Sequence, residues 1–261
     1  GITTLGPDIN ESLLKFSVNR KGDIRFGLGA IKGVGESAVQ SILEERKENG
    51  LFKSIFDFVQ RVNLSACNRK NIENLALAGA FDSLGGIKRE DFFVKNAKDE
   101  TFTEVLVRYG NKYQLDKAAI ANSLFGGDNQ IEVATPEIIA APSWSDLDRL
   151  NKERELVGIY LSAHPLDEYA VILDKVCSVK MDALKDLTPL QNQELTMGGI
   201  VVSVREMYTK KGNPCGFAKV EDYSGSFEFP FFGSDWMEKK SYFSPGMFLY
   251  IKGKCQPKLW R

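Results

Sequence analysis

Gly33 and Gly35 stand in the segment Gly27-Leu28-Gly29-Ala30-Ile31-Lys32-Gly33-Val34-Gly35-Glu36-Ser37-Ala38, and the chemistry their spacing allows is the holding of a phosphate. A short helix ending at Lys32, a Gly-Val-Gly turn and a second helix opening at Glu36 or Ser37 make a helix-hairpin-helix. Glycine at both positions gives the turn backbone conformations closed to residues with a Cβ, and it lets bare amides approach an anion. The second helix adds free N–H groups and the positive end of its dipole. Lys32, Gly33, Val34 and Gly35 are therefore candidate contacts to a sugar–phosphate chain, gripped without base readout. The same turn also serves to pack helices together, and the residues alone leave both readings standing. A further helical pair opens at Asn68-Arg69-Lys70-Asn71 and runs into Ala78-Gly79-Ala80-Phe81-Asp82. Arg69 and Lys70 are candidate phosphate contacts there, or solvated cations at a helix start.

A second set of candidates lies near the C-terminus. Arg205, Tyr208, Lys210, Lys211 and Phe217 combine cations with aromatic rings around the turn Lys210-Lys211-Gly212-Asn213-Pro214. On a small barrel such residues track phosphates and stack bases of a single strand. Lys219 and Tyr223 are further candidates. Phe227, Phe229 and Phe231 share one strand face by alternation and read as core. The lone histidine, His164, precedes Pro165 at a helix end without a companion set of metal ligands and reads as structural. Asp146, Asp148 and Glu153 are expected on a solvated helix face.

The elements that position these groups change character along the chain. From Gly27 to Ala80 apolar residues recur at helical spacing, punctuated by glycines. Further helices are expected over Glu90 to Tyr109, Gln114 to Asn122 and from Ser143 onward, with a Pro/Gly-containing linker between Gly126 and Ser143. After about Leu195 the period becomes two. Strands are expected over Met197–Met207, Gly216–Glu221, Ser226–Phe232 and Met247–Gly253. The fold class is thus α+β and multidomain: a helical helix-hairpin-helix region, then a small antiparallel OB-type β-barrel. The barrel is expected to be incomplete, because the chain stops at Arg261. That end, and a start at Gly1 rather than Met, lead us to expect a piece of a longer protein.

With 261 residues, 34 Lys plus Arg against 35 Asp plus Glu, and a formal charge of −1, the composition excludes a uniformly basic nucleic-acid binder. Any such binding must come from local patches or amides. The 4 cysteines are far apart and form no C-x-x-C pair, which suggests neither a disulfide framework nor a zinc site and fits a reducing cytoplasm. No apolar run approaches the ~20 residues of a membrane span. Leu124 and Phe125, beside Asn122 and Ser123 and just before the linker, would each leave roughly 1.5–3 kcal/mol of burial unused if exposed. They serve either a partner's pocket or the helical region's own core.

Pro7-Asp8-Ile9-Asn10-Glu11-Ser12, the hairpin from Phe26 to Gly35, Gly50-Leu-Phe-Lys-Ser-Ile-Phe-Asp-Phe58, Arg61-Val62, Ala78-Gly-Ala-Phe-Asp82, Glu153-Arg-Glu-Leu-Val-Gly158-Ile-Tyr-Leu-Ser162-Ala-His164-Pro165 and Val220-Glu-Asp-Tyr-Ser-Gly225 follow one another here in the order and spacing of bacterial replicative DNA polymerase III alpha subunits. The chain resembles a C-terminal fragment of that family over nearly its whole length. The resemblance implies the end of the fingers region over 1–26, a DNA-binding hairpin region over 27–120, a clamp-binding peptide over 121–126, a linker and helical connector over 127–194 and a truncated OB domain over 195–261. It further implies that Ala121, Asn122, Ser123, Leu124 and Phe125 engage the sliding clamp, with Ala121 where a glutamine heads the family's peptide. Duplex and single-stranded DNA, the clamp and other replicase subunits beyond the C-terminus are the implied partners, with no membrane. By family the parent is a nucleotidyltransferase, a DNA-directed DNA polymerase using Mg2+. Its catalytic aspartates would lie outside this chain, which would hold no cofactor or metal and no catalytic residue. The rival readings are a stand-alone helix-hairpin-helix/OB DNA-repair factor and a protein-binding scaffold.

Overall fold

The computed structural model of the chain describes residues 3–121 and 133–256. They fall into two compact units, the first ending at Ala163 and the second beginning at His164. That division lies inside the span 127–194 expected as linker and connector.

In the first unit the short strands β1 (Thr4–Leu5), β2 (Ser17–Val18) and β3 (Ile24–Arg25) form a sheet of order β1-β3-β2. The helices α1 (Glu36–Asn49), α2 (Ile55–Arg61), α3 (Arg69–Leu77), α4 (Phe102–Ala121) and α5 (Asp146–Val157) follow. Polar side chains start several of them: Ser54, Asn68 and Ser145 accept from the backbone N–H of Asp57, Asn71 and Asp148, which satisfies donors that a helix start leaves open. Gly158 ends α5 in the left-handed conformation, which glycine adopts without steric cost. The core is a run of rings: Phe58 to Phe81 at 5.1 Å, Phe81 to Phe92 at 5.6 Å and Phe92 to Phe102 at 6.2 Å.

Three expectations are corrected in this unit. The helix expected to end at Lys32 is a single 3-10 turn, Leu28–Ala30. Leu28 and Gly29 donate backwards to the carbonyls of Leu13 and Leu14, so the preceding segment closes that side. The stretch from Glu90 to Tyr109 is divided between a 3-10 turn at Arg89–Phe93 and α4, which begins only at Phe102. Glu153 is not solvated but 1% exposed. Its carboxylate accepts from Arg89 Nη1 and from the backbone N–H groups of Leu161 and Ser162, each at 2.9 Å, and from the Ser162 hydroxyl. Burial opposes its charge, but the hydrogen bonds from Ser162, Arg89 and Leu161 outweigh burial and hold its carboxyl below the usual range.

In the second unit α6 (Ala170–Lys175) precedes β4 (Glu194–Tyr208), β5 (Pro214–Glu221) and β6 (Ser226–Phe232); α7 (Ser234–Lys239) and β7 (Phe248–Lys254) follow. The strands form an antiparallel sheet of order β6-β5-β4-β7. β4 serves two partners: its first half pairs with β7 and its second with β5, with a register irregularity between Val201 and Ser203. Such a break bends a strand, and the sheet curls into a half-barrel around Met181, Leu184, Leu195, Met197, Val201 and Val220. Phe227 and Phe229 pack against that core, and the Phe231 ring lies 4.8 Å from that of Phe243, as alternation predicts. The helix α7 was not expected. Trp236 on it is 2% exposed and covers Gly216 so closely that a Cβ there would come within 2.2 Å of the indole.

Candidate nucleic-acid interface

The hairpin is fixed from below by apolar side chains and from the side by an amide. Leu28, Ile31 and Val34 are buried, while Lys32, Gly33 and Gly35 are exposed. Val34 can therefore offer a ligand only its backbone, and its N–H already donates to the Ile31 carbonyl at 3.1 Å. Gly33 has φ +77, and a Cβ on it would sit 2.5 Å from Asn74 Nδ2, an atom that donates to the Lys32 carbonyl at 3.0 Å. Gly33 is thus required both by its backbone conformation and by the close approach of α3. Gly35 is different: φ −73 and ψ 151 are open to any residue, and the nearest atom to a Cβ there is Ser37 Oγ at 3.9 Å. The expectation that the turn conformation demands both glycines is corrected to Gly33 alone.

Gly35 caps α1 without a side-chain bond. Its carbonyl accepts from Ala38 and Val39 at 3.1 and 3.2 Å. Among the described residues the N–H groups of Gly35, Glu36 and Ser37 have no acceptor, so the start of this 14-residue helix presents donors and a positive dipole end to solvent. Glu36, the first helical residue, puts a carboxylate at the same end.

Asn74, which the sequence reading did not single out, joins α3 to the hairpin. Arg69 and Lys70 lie at the start of α3, about 6–7.5 Å along its axis from Asn74 at 1.5 Å per residue. Arg69 Nε is 3.4 Å from Glu73, and its Nη1 also contacts Glu104. Lys70 is exposed and forms no ion pair among the described residues. The structure thus brings Lys32, Gly33 and Gly35 together and places Arg69 and Lys70 apart from them.

In the second unit Arg205 on β4 stands opposite Phe217 on β5. Its guanidinium carbon is 5.5 Å from the Phe217 ring centroid, and its Nη2 lies 2.6 Å from Glu228 Oε1 on β6. The rings of Phe217 and Phe232 are 6.4 Å apart, and Phe232 is 50% exposed. Lys219 stands opposite Glu228 in register. Alternation puts Arg205, Phe217, Lys219, Glu228 and Phe232 on one face, away from the core. Phe232 and Glu228 were missed, although the period that turns Phe227, Phe229 and Phe231 inward assigns their neighbours outward.

Tyr208 is 71% exposed but has the parity of Glu206, so it does not share the face of Arg205 and Phe217. Lys210 and Lys211 lie in the loop from β4 to β5, both exposed. Thr209 donates to the Asn213 carbonyl and Gly212 to that of Thr209, each at 2.8 Å, which ties that loop. Tyr223 is partly engaged: its ring lies 4.5 Å from His164 and its hydroxyl donates to Asp167 at 2.7 Å. Burial and the Asp167 carboxylate together push its phenol up to about 12.

Ala121 is the last residue of α4. Asn122, Ser123, Leu124 and Phe125 lie outside the described residues. Among the described residues no group of three or more His, Cys, Asp or Glu could hold a metal ion, and no helix is long and apolar enough to cross a membrane. The cysteines Cys67, Cys177, Cys215 and Cys255 are free; burial pushes the Cys67 thiol up to about 12.

Known proteins bear on this geometry. A helix-hairpin-helix motif family matches residues 1–91, and the OB-fold nucleic acid binding domain family matches residues 195–258. DNA polymerase III subunit alpha of Vibrio cholerae is 36% identical over 247 residues, 92% of this chain and 20% of that protein. Its counterpart in Mycobacterium tuberculosis strain H37Rv is 38% identical over 89% of this chain and 19% of the relative. That of Escherichia coli K12 is 34% identical over 87% of this chain and 19% of the relative. The chain spans about 20% of the length of the curated relatives it matches.

Proposed function

We propose, from the similarity of this chain to DNA polymerase III alpha subunits over some 92% of its length, that it is a DNA-holding part of a bacterial replicative polymerase. The observation that carries the reading is the exposed, uncapped start of α1, where the amides of Gly35, Glu36 and Ser37 await an acceptor beside Lys32. Duplex DNA is held there by its backbone phosphates, without base readout. A single strand is held on the outer face of the second unit, with bases stacked on Phe217 and Phe232 and phosphates met by Arg205, Lys219, Lys210 and Lys211. Arg69 and Lys70 add phosphate contacts.

The residues Ala121 to Phe125 are the peptide that docks the sliding clamp, with Leu124 and Phe125 filling its apolar pocket. Nucleotidyl transfer and the Mg2+ it uses belong to the parent enzyme's segments outside this chain. The setting is the bacterial cytoplasm.

Fluorescence anisotropy of the full chain with labelled primer–template and single-stranded DNA across a salt series tests this reading. Affinity for both should fall with rising salt, as phosphate binding requires. The variant Lys210→Glu/Lys211→Glu should lose single-strand affinity selectively. Binding of neither DNA at low salt would leave the protein-scaffold reading in its place.

A further inference from the structure

We propose that Glu228 sets how strongly the outer sheet face holds a single strand, by keeping Arg205 drawn across Phe217 until a phosphate displaces it. The inference rests on the single-strand reading above and deepens it.

Arg205, Phe217 and Glu228 lie on three successive strands, β4, β5 and β6. Neighbouring strands are about 4.8 Å apart, so the Arg205 side chain must cross the whole width of β5 to reach Glu228. It does so directly above the ring it would otherwise leave free: guanidinium carbon to ring centroid is 5.5 Å, and Nη2 to Oε1 is 2.6 Å. The cation that would take a phosphate and the aromatic that would take a base are thus engaged with each other. The same carboxylate stands opposite Lys219 in register, but among the described residues its ion pair is with Arg205.

A strand entering here meets a competitor already seated. Its phosphate must take Arg205 from Glu228, and its base must take the Phe217 face from the guanidinium. The ion pair is open to solvent, with side-chain exposures of 62% and 39%, so the exchange is easy and its energetic cost small. The consequence is a face that holds a strand weakly and releases it readily. Phe232, 6.4 Å from Phe217 and on the same face, extends the stacking platform once Arg205 has swung away.

The test uses the full chain and a fluorescein-labelled single-stranded oligonucleotide of roughly 16 nucleotides, the upper end of an OB-fold site. Glu228→Gln, which keeps shape and removes charge, should tighten binding about two- to fivefold. It should also steepen the log–log salt dependence by up to about 0.7, the worth of one freed cation on a single strand. On an Arg205→Ala background the same substitution should gain nothing. Glu228→Thr, a good strand former, repeats the measurement should the glutamine variant misfold. Unchanged affinity, a gain that persists without Arg205, or weaker binding overturns the inference; the last outcome would mean that Glu228 instead accepts from a base. If Arg205→Ala binds like the parent, the sheet-face reading itself fails along with it.

Discussion

Replacing Gly35 by Asp should make the protein slightly more stable and a markedly poorer binder of duplex DNA. The backbone at Gly35 suits any residue, and a Cβ there meets nothing closer than 3.9 Å. Asp is a better N-cap than Gly by a few tenths of a kcal/mol, and replacing a glycine without strain adds about 0.4–1 kcal/mol by restricting the unfolded chain. A gain of about 0.5–1 kcal/mol in urea unfolding is the expected sum, with the repulsion from Glu36 taken into account. The new carboxylate would accept from the amides that an anion needs. It would also face a phosphate at about 4 Å, a repulsion of about 1 kcal/mol at the dielectric of water and about 4 kcal/mol at an effective value of 20. Duplex affinity in anisotropy should therefore fall at least about fivefold. Gly33→Ala is the contrasting control. A left-handed φ costs an alanine about 1–2 kcal/mol, and its Cβ would push Asn74 off the Lys32 carbonyl for about 1 kcal/mol more. It should lose stability where Gly35→Asp gains it. A Gly35→Asp protein that folds and binds primer–template within twofold of the parent would refute the anion site at the hairpin.

Arg89→Ala should cost about 3 kcal/mol in urea unfolding, because it leaves the Glu153 carboxylate buried without its cation. The Glu153 carboxyl is held below its ordinary value in the folded state. Its contribution is therefore complete above the unfolded value of about 4.3 and is lost as pH falls through the folded one, so parent and variant should converge in acid titrations of stability. Phe217→Ala should weaken single-strand binding by about 1–3 kcal/mol and leave primer–template binding at the hairpin unchanged; equal losses on both DNAs would contradict the separation of sites. Leu124→Ala with Phe125→Ala should abolish capture of the sliding clamp with the circular dichroism spectrum intact, and continued capture would remove the peptide assignment.

Much of the second unit was legible because alternation is a local signal. β6 occupies Ser226–Phe232 as expected, and its inward rings follow from period two. What escaped the sequence depends on partners far along the chain. Glu153 lies on a helix with a polar-looking face, and only Arg89, 64 residues earlier, with the turn at Leu161 and Ser162, makes burial of its charge tolerable. The helix α7 is short and carries little periodicity; it is placed by Trp236 closing over Gly216. At the hairpin the spacing of glycines was legible, but not which of them is strained, since that depends on Asn74 reaching in from α3. Tyr208 and Phe217 looked alike as exposed aromatics beside lysines, and only the strand register assigns them to different faces.

The near-zero net charge is informative once the ion pairs are known. Several groups proposed to meet DNA already have acidic neighbours: Arg69 has Glu73 and Glu104, Arg205 has Glu228, and the helix start at Gly35 has Glu36. Lys32, Lys70, Lys210 and Lys211 have none among the described residues. At Arg69, Arg205 and the start of α1 a hold on DNA would therefore be modest, because a phosphate there gains only the difference between itself and the carboxylate it replaces. A protein that must stay on DNA while the DNA moves through it gains from weak, replaceable contacts, provided something else prevents escape. Linking several weak sites on one chain supplies that, since each bound site raises the effective concentration of the others. If the proposed clamp peptide and the two proposed DNA surfaces act together in this way, loss of either DNA surface should shorten residence on primed DNA far more than it lowers the affinity of the remaining one.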